Sequence, residues 1–183
     1  MNDDKPPTAD RTLLGRERVR GAVPIDAFKA ALPPAARLIG IDVGTKTLGL
    51  ALSDVSRMIA SALETIRRTK FKVDAARLLA IAEEHKVGGY VIGLPINLDG
   101  TEGPRAQASR AFARNLAALT PAPLLLWDER LSTAEAERML IEADTSRRRR
   151  AEVIDKLAAT IILQGAMDRM RRMGEAGDIA TDA

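Results

Sequence analysis

Four acidic side chains stand where an apolar segment ends or is interrupted. Asp42 lies inside Leu38–Asp54, LIGIDVGTKTLGLALSD; Asp128 and Glu129 follow the apolar run Leu124–Trp127; Asp155 sits within Val153–Leu163, VIDKLAATIIL. A carboxylate beside buried positions is costly unless it is hydrogen-bonded, paired or bound to a metal. Several gathered in one place repel each other and raise one another's pKa until a cation joins them. Composition narrows the choice of cation. The chain has no cysteine and a single histidine, His85, which excludes disulfides, thiolate zinc and His-rich centres. Ligands that are all oxygen favour Mg²⁺ or Mn²⁺. Such an ion activates water and neutralises charge on a scissile phosphate, so the chemistry suggested is phosphoryl chemistry. Each acid also has a plainer reading. Asp42 can cap the Gly44-Thr45-Lys46 turn, Glu129 can pair with Arg130, and Asp155 can be a solvated acid in a helix's first turn.

The elements that must position these acids follow from periodicity. Alternation in the first run puts Ile39, Ile41 and Val43 on one face of a strand and Leu38, Gly40, Asp42 and Gly44 on the other. After the turn, Leu48, Leu50 and Leu52 alternate with small residues, which predicts a hairpin. A third strand is expected over Ile59–Arg67, and a helix over Ala75–His85 ended by Gly88-Gly89. A buried strand Tyr90–Pro95 leads to a turn-rich loop, Ile96–Gly103. A helix over Arg105–Leu119, with Ala108, Phe112 and Leu116 inward, precedes a fifth strand, Leu124–Trp127. Ser132 and Glu135 form a capping box for a helix to about Ala143, and a linker with Arg147–Arg150 precedes a last helix from Ala151 to about Met173.

This order predicts an α/β fold with a mixed five-stranded sheet, order 3-2-1-4-5 with strand 2 antiparallel, flanked by helices. Parallel strands 1, 4 and 5 would bring Asp42 and Glu129 to one sheet edge, where ligands bind in open α/β sheets. In the last helix Asp155, Ala158, Ala159 and Ile162 share a stripe. Its alanines allow a close approach to the glycine-bearing face of strand 1, carrying Asp155 toward Asp42. Residues 1–36, with five prolines and little periodicity, read as a flexible arm with one short helix around Ile25–Leu32. Residues 37–173 read as the folded domain, and residues 174–183 as a frayed tail.

The chain has 183 residues, 46% hydrophobic, 3% aromatic, with a formal net charge of +3. That suffices for one domain with a core, and so few aromatics argue against recognition by base stacking. No apolar run approaches the ~20 residues of a membrane span, and the N-terminus lacks a signal-peptide core; a soluble cytoplasmic protein is expected, monomeric or weakly dimeric. The arginines are clustered. From Thr145 to Met173 there are eight basic side chains against three acidic, and Arg67, Arg68, Lys70 and Lys72 form a second group. Patches of this kind hold phosphate backbones without reading sequence. Arg147, Arg148, Arg149 and Arg150, with Lys46 of the hairpin turn and Arg130, are the candidate nucleic-acid contacts.

Four motifs, GIDVGTKTLGLALSD, VIGLPINLDGTEG, DERLSTAEAE and VIDKLAATIIL, in this order and spacing, resemble the YqgF/RuvX family. These are RNase H-like proteins described as Holliday junction resolvase-like and as nucleases of pre-16S ribosomal RNA processing. The resemblance covers about Arg37 to Met170. It implies an RNase H-like fold and places the three catalytic, metal-binding acids on Asp42, Glu129 and Asp155. It also implies a nucleic-acid substrate, precursor rRNA or branched DNA, with the assembling small ribosomal subunit as a possible partner. The DVGT turn is also similar to the phosphate-binding turn of actin-like ATPases, but those need two such lobes and the chain supplies one. A binding module that keeps the fold without catalysis is the remaining alternative.

Overall fold

The computed structural model describes residues 21–131 and 147–178. Five strands form one sheet in the order β3-β2-β1-β4-β5, as the sequence predicts. They are β1 (Arg37–Val43), β2 (Thr47–Ser53), β3 (Ala60–Arg67), β4 (Val87–Leu94) and β5 (Leu124–Asp128). β2 runs antiparallel to β1 and β3, because two short turns leave no length for crossovers. β1, β4 and β5 are parallel, joined through the helices α2 (Phe71–Glu84) and α3 (Pro104–Ala117).

The alternation in β1 divides the core in two. Ile39, Ile41 and Val43 pack with Leu48 and Leu50 under α2 and α3. Leu38 on the opposite face packs with Val91 and Trp127 under α1 (Ile25–Ala31) and the last helix, α4 (Arg147–Asp178). The apolar stripe of α4, with Ala159, Ile162, Leu163 and Ala166 buried, lies across β1. A Cβ added at Gly40 would stand 2.6 Å from the Ala159 carbonyl. The predicted close approach of small residues therefore occurs.

Several boundaries differ from the sequence reading. Gly88 and Gly89 lie inside β4 rather than stopping α2. The helix is ended by Lys86, at φ 55°, and the glycines admit neighbours: a Cβ on Gly89 would meet Leu32 at 2.6 Å and Phe28 at 3.0 Å. In α3 the inward positions are Ala106, Ser109, Phe112, Ala113 and Leu116; this stripe centres on Ser109 and Leu116, and Ala108 is turned by about 100° from it and is exposed. α4 runs from Arg147 to Asp178, so Arg147–Arg150 are helical rather than a linker, and the first five residues of the expected frayed tail continue the helix.

Residues 21–36 of the expected arm hold to the sheet. Val23 N–H donates to the Leu124 carbonyl at 2.8 Å, Phe28 is fully buried, and Lys29 Nζ donates to the Met170 carbonyl at 2.8 Å. The short helix expected around Ile25–Leu32 forms as α1, and the burial of Phe28 is what fastens it, a contact that the sequence of so short a segment does not reveal. Residues 1–20, the Ser132–Glu135 capping box with its helix, and the last five residues of the tail lie outside the described residues.

Candidate active site

Asp42 occupies the middle of a row that crosses three strands. Its partner across the β1–β2 ladder is Gly49. On the other side, Gly93 follows Ile92, which pairs with Ile41 in the β1–β4 ladder. Both glycines open the sheet face toward α4. A Cβ on Gly49 would run into the backbone of Asp155, and a Cβ on Gly93 would stand 2.5 Å from Glu129 Oε1. Asp155 thus lies over β2 and Glu129 over β4, with Asp42 between them. The structure brings the three predicted acids to one face and one end of the sheet.

The environment of Asp42 decides between its two sequence readings. The side chain is buried, and no described residue donates a hydrogen bond to its carboxylate. Burial pushes its pKa up, Arg105 pulls it down, and the Asp155 charge pushes it up again. A turn-capping aspartate looks different, as Asp54 shows. Its carboxylate accepts from Met58 N at 2.7 Å, from Ile59 N at 2.9 Å and from the Ser56 hydroxyl, and these bonds hold its pKa at about 2. Asp42 therefore does not cap its turn; a buried carboxylate without donors either keeps its proton or is joined by a cation.

Asp128 and Glu129 are neighbours with opposite fates. Arg130 pairs with Asp128 at 2.7 Å, not with Glu129, and this holds the Asp128 pKa below the usual range. Glu129 turns inward from the 3₁₀ turn Glu129–Leu131 that follows β5. Burial, then the charge of Asp42, raises its pKa to about 7, with Arg105 opposing. On the far side, Thr47 Oγ1 donates to Asp155 Oδ2 at 2.6 Å.

A cleft of about 820 Å³ opens over this edge, lined among others by Asp42, Lys46, Thr47, Arg67, Arg105 and Asp155. Lys46 is exposed there, and no described acidic group forms an ion pair with Lys46, Arg67 or Arg105. Arg68 Nη1 donates to the Gly44 carbonyl at 2.6 Å and ties β3 to the β1–β2 turn. Arg105 escaped the sequence reading. Its place at the first turn of α3, directly after a loop leaving the carboxyl end of β4, is the signal that would have found it. Arg130 is engaged by Asp128, and the side chains of Arg147–Arg150 lie outside what the structure describes.

The donor set fits a hard divalent cation: carboxylates only, two of them held from easy ionisation by burial and mutual repulsion. Among the described residues no three acidic or histidine side chains converge on one point. Asp42 instead feels Asp155 on one side and Glu129 on the other.

Comparison with known proteins identifies the family and the fold. Residues 36–169 match the profile of RuvX, described as Holliday junction resolvase. A protein of Cereibacter sphaeroides (strain ATCC 17025) is 62% identical over 82% of this chain and 94% of its own, and carries the name "Putative pre-16S rRNA nuclease". A relative of the same name from Rhodobacter capsulatus is 57% identical over 83% of this chain and 96% of its own. The structure of T. thermophilus RuvC in complex with a Holliday junction superposes with a TM-score of 0.51 at 20% identity, covering 76% of this chain and 96% of that one. The shared fold is the RNase H-like sheet.

Proposed function

The chain belongs to the RuvX family, and we propose that it is a metal-dependent nuclease that hydrolyses phosphodiester bonds in the 5′-end processing of pre-16S rRNA. The observation that carries this reading is Asp42. It is buried, lacks any described donor, lies between two further acids, and opens onto a cleft lined by Lys46, Arg67 and Arg105. The names of the relatives supply the substrate. A protein acting on ribosomal precursor works in the cytoplasm beside the assembling small subunit. No helix among the described residues is long and apolar enough to cross a membrane.

Asp42, with Asp155 and Glu129 on either side, would hold Mg²⁺ or Mn²⁺; one or two carboxylates with retained waters suffice for Mg²⁺. The chemistry such an ion supplies is charge neutralisation on the scissile phosphate and a lowered pKa of bound water. Lys46, Arg67 and Arg105 seat the flanking phosphates, and Arg68 fixes the turn that carries Lys46. Arg147–Arg150 belong to the same helix as Asp155, α4, and are the candidate contacts for further phosphates. Arg130 is already paired with Asp128 and would share or exchange that contact on meeting a phosphate.

The test is cleavage of a precursor rRNA 5′ segment and a four-way DNA junction side by side, with Mg²⁺, Mn²⁺ or EDTA. Metal-dependent cleavage of the RNA is expected. Cleavage of the junction alone would assign the activity to branched DNA. Binding of both without cleavage of either would make the protein a binding module of the same fold.

A further inference from the structure

Asp155 is the one acid of the three delivered by a helix rather than a strand end. Its backbone is fixed, because the Asp155 carbonyl lies against the bare face of Gly49 and leaves no room for a Cβ. A helical aspartate on a fixed backbone still has side-chain rotamers to choose from, and a freely rotating carboxylate is a poor ligand. Two residues before Gly49, and so on the same face of β2, stands Thr47. Its hydroxyl donates to Asp155 Oδ2 at 2.6 Å, and no second described residue donates to that carboxylate.

Thr47 is itself held. Its carbonyl accepts from Gly44 N–H at 3.0 Å, closing the hairpin, and Arg68 binds the Gly44 carbonyl at 2.6 Å while its own N–H donates to the Lys46 carbonyl at 2.8 Å. The hydroxyl therefore projects from a braced turn. We propose that Thr47 is a positioning residue that locks the Asp155 carboxylate into its orientation beside Asp42, leaving Oδ1 for a divalent cation. This rests on the carboxylate site proposed above. Outer partners that orient metal ligands are worth about ten- to a hundredfold in metal affinity.

The experiment compares the full chain with Thr47→Val, which keeps the shape and removes the donor, and Thr47→Ser, which keeps the donor. Mn²⁺ affinity is measured by titration calorimetry, the Asp155 χ1 rotamer in the metal-free protein by NMR three-bond couplings, and folding by melting temperature. Thr47→Val should melt within a few degrees of the parent, populate several Asp155 rotamers and bind Mn²⁺ about tenfold or more weakly. Thr47→Ser should restore both the single rotamer and the affinity. Unchanged Mn²⁺ affinity in Thr47→Val overturns the proposal, as does a serine variant that behaves like the valine one. If the parent binds no Mn²⁺, the carboxylate site itself fails. The rotamer measurement then decides the role of Thr47 alone: averaging only in Thr47→Val upholds it, and a single rotamer in all three overturns it.

Discussion

Gly49 and Asp155 meet backbone to backbone: the strand residue opposite Asp42 has no side chain because the helix carbonyl occupies that space. Gly49→Ala must push α4 off the sheet, and overpacking of this kind costs about 1–3 kcal/mol or more. At Gly103 an added Cβ would find its nearest neighbour, Asn97 Nδ2, at an ordinary 3.7 Å. Thermal melts of the two variants should separate them clearly, with Gly49→Ala several degrees lower and Gly103→Ala close to the parent. Equal melting temperatures would mean that α4 does not rest on β2.

Asp42→Asn preserves size and removes one negative charge. Cleavage should fall by at least about a hundredfold, the scale of losing a major electrostatic contribution at a reacting centre. Affinity for nucleic acid should hold or rise, and the metal-free melting temperature should hold or rise, because crowding among the acids is relieved. Rates, filter binding and melts on one pair of proteins check all three. Parent-like, metal-dependent cleavage by the variant would remove Asp42 from the mechanism.

Glu129 gives the metal-free protein a pH signature. Its folded pKa, about 7, lies above its ordinary 4.5. Between those values the unfolded chain releases the proton while the folded one keeps it, so stability falls as pH rises through this window and levels off above it. Asp42 is raised and contributes in the same direction. Asp54, lowered to about 2 from 3.8, acts oppositely but only in stronger acid. Melting in EDTA should therefore drop between about pH 4.5 and 7, and Glu129→Gln should flatten that drop. A slope that is the same in both proteins would contradict the burial of Glu129 beside Asp42.

Arg105 faces both raised acids from across the cleft. Arg105→Gln should weaken nucleic-acid binding and reduce the salt slope by about one phosphate contact. It should also move the Glu129 transition to higher pH, since one opposing charge is gone. Replacing Arg147–Arg150 with Ser should flatten the salt slope further and leave the Glu129 transition in place. A change in base preference with an unchanged salt slope would show that these side chains do not meet phosphates.

Much of this protein is legible along the chain. The period-2 pattern of Ile39, Ile41 and Val43 against Gly40 and Asp42 determines both faces of β1. The short turns and the helix-length connections then dictate which strands are antiparallel and which parallel, and hence the strand order. The motif order points to Asp42, Glu129 and Asp155. Tertiary structure alone decides what each acid experiences. Asp128 and Glu129 are adjacent in sequence, yet the turn after β5 gives one to Arg130 and folds the other over Gly93. Arg105 and Thr47 reach the site from α3 and β2, at separations in sequence that no local pattern encodes. The physical reason is range. Periodicity records which face a residue shows to the core, whereas burial, repulsion and hydrogen bonding at Asp42 depend on side chains that only the packing of α4 on Gly40, Gly49 and Gly93 brings within reach.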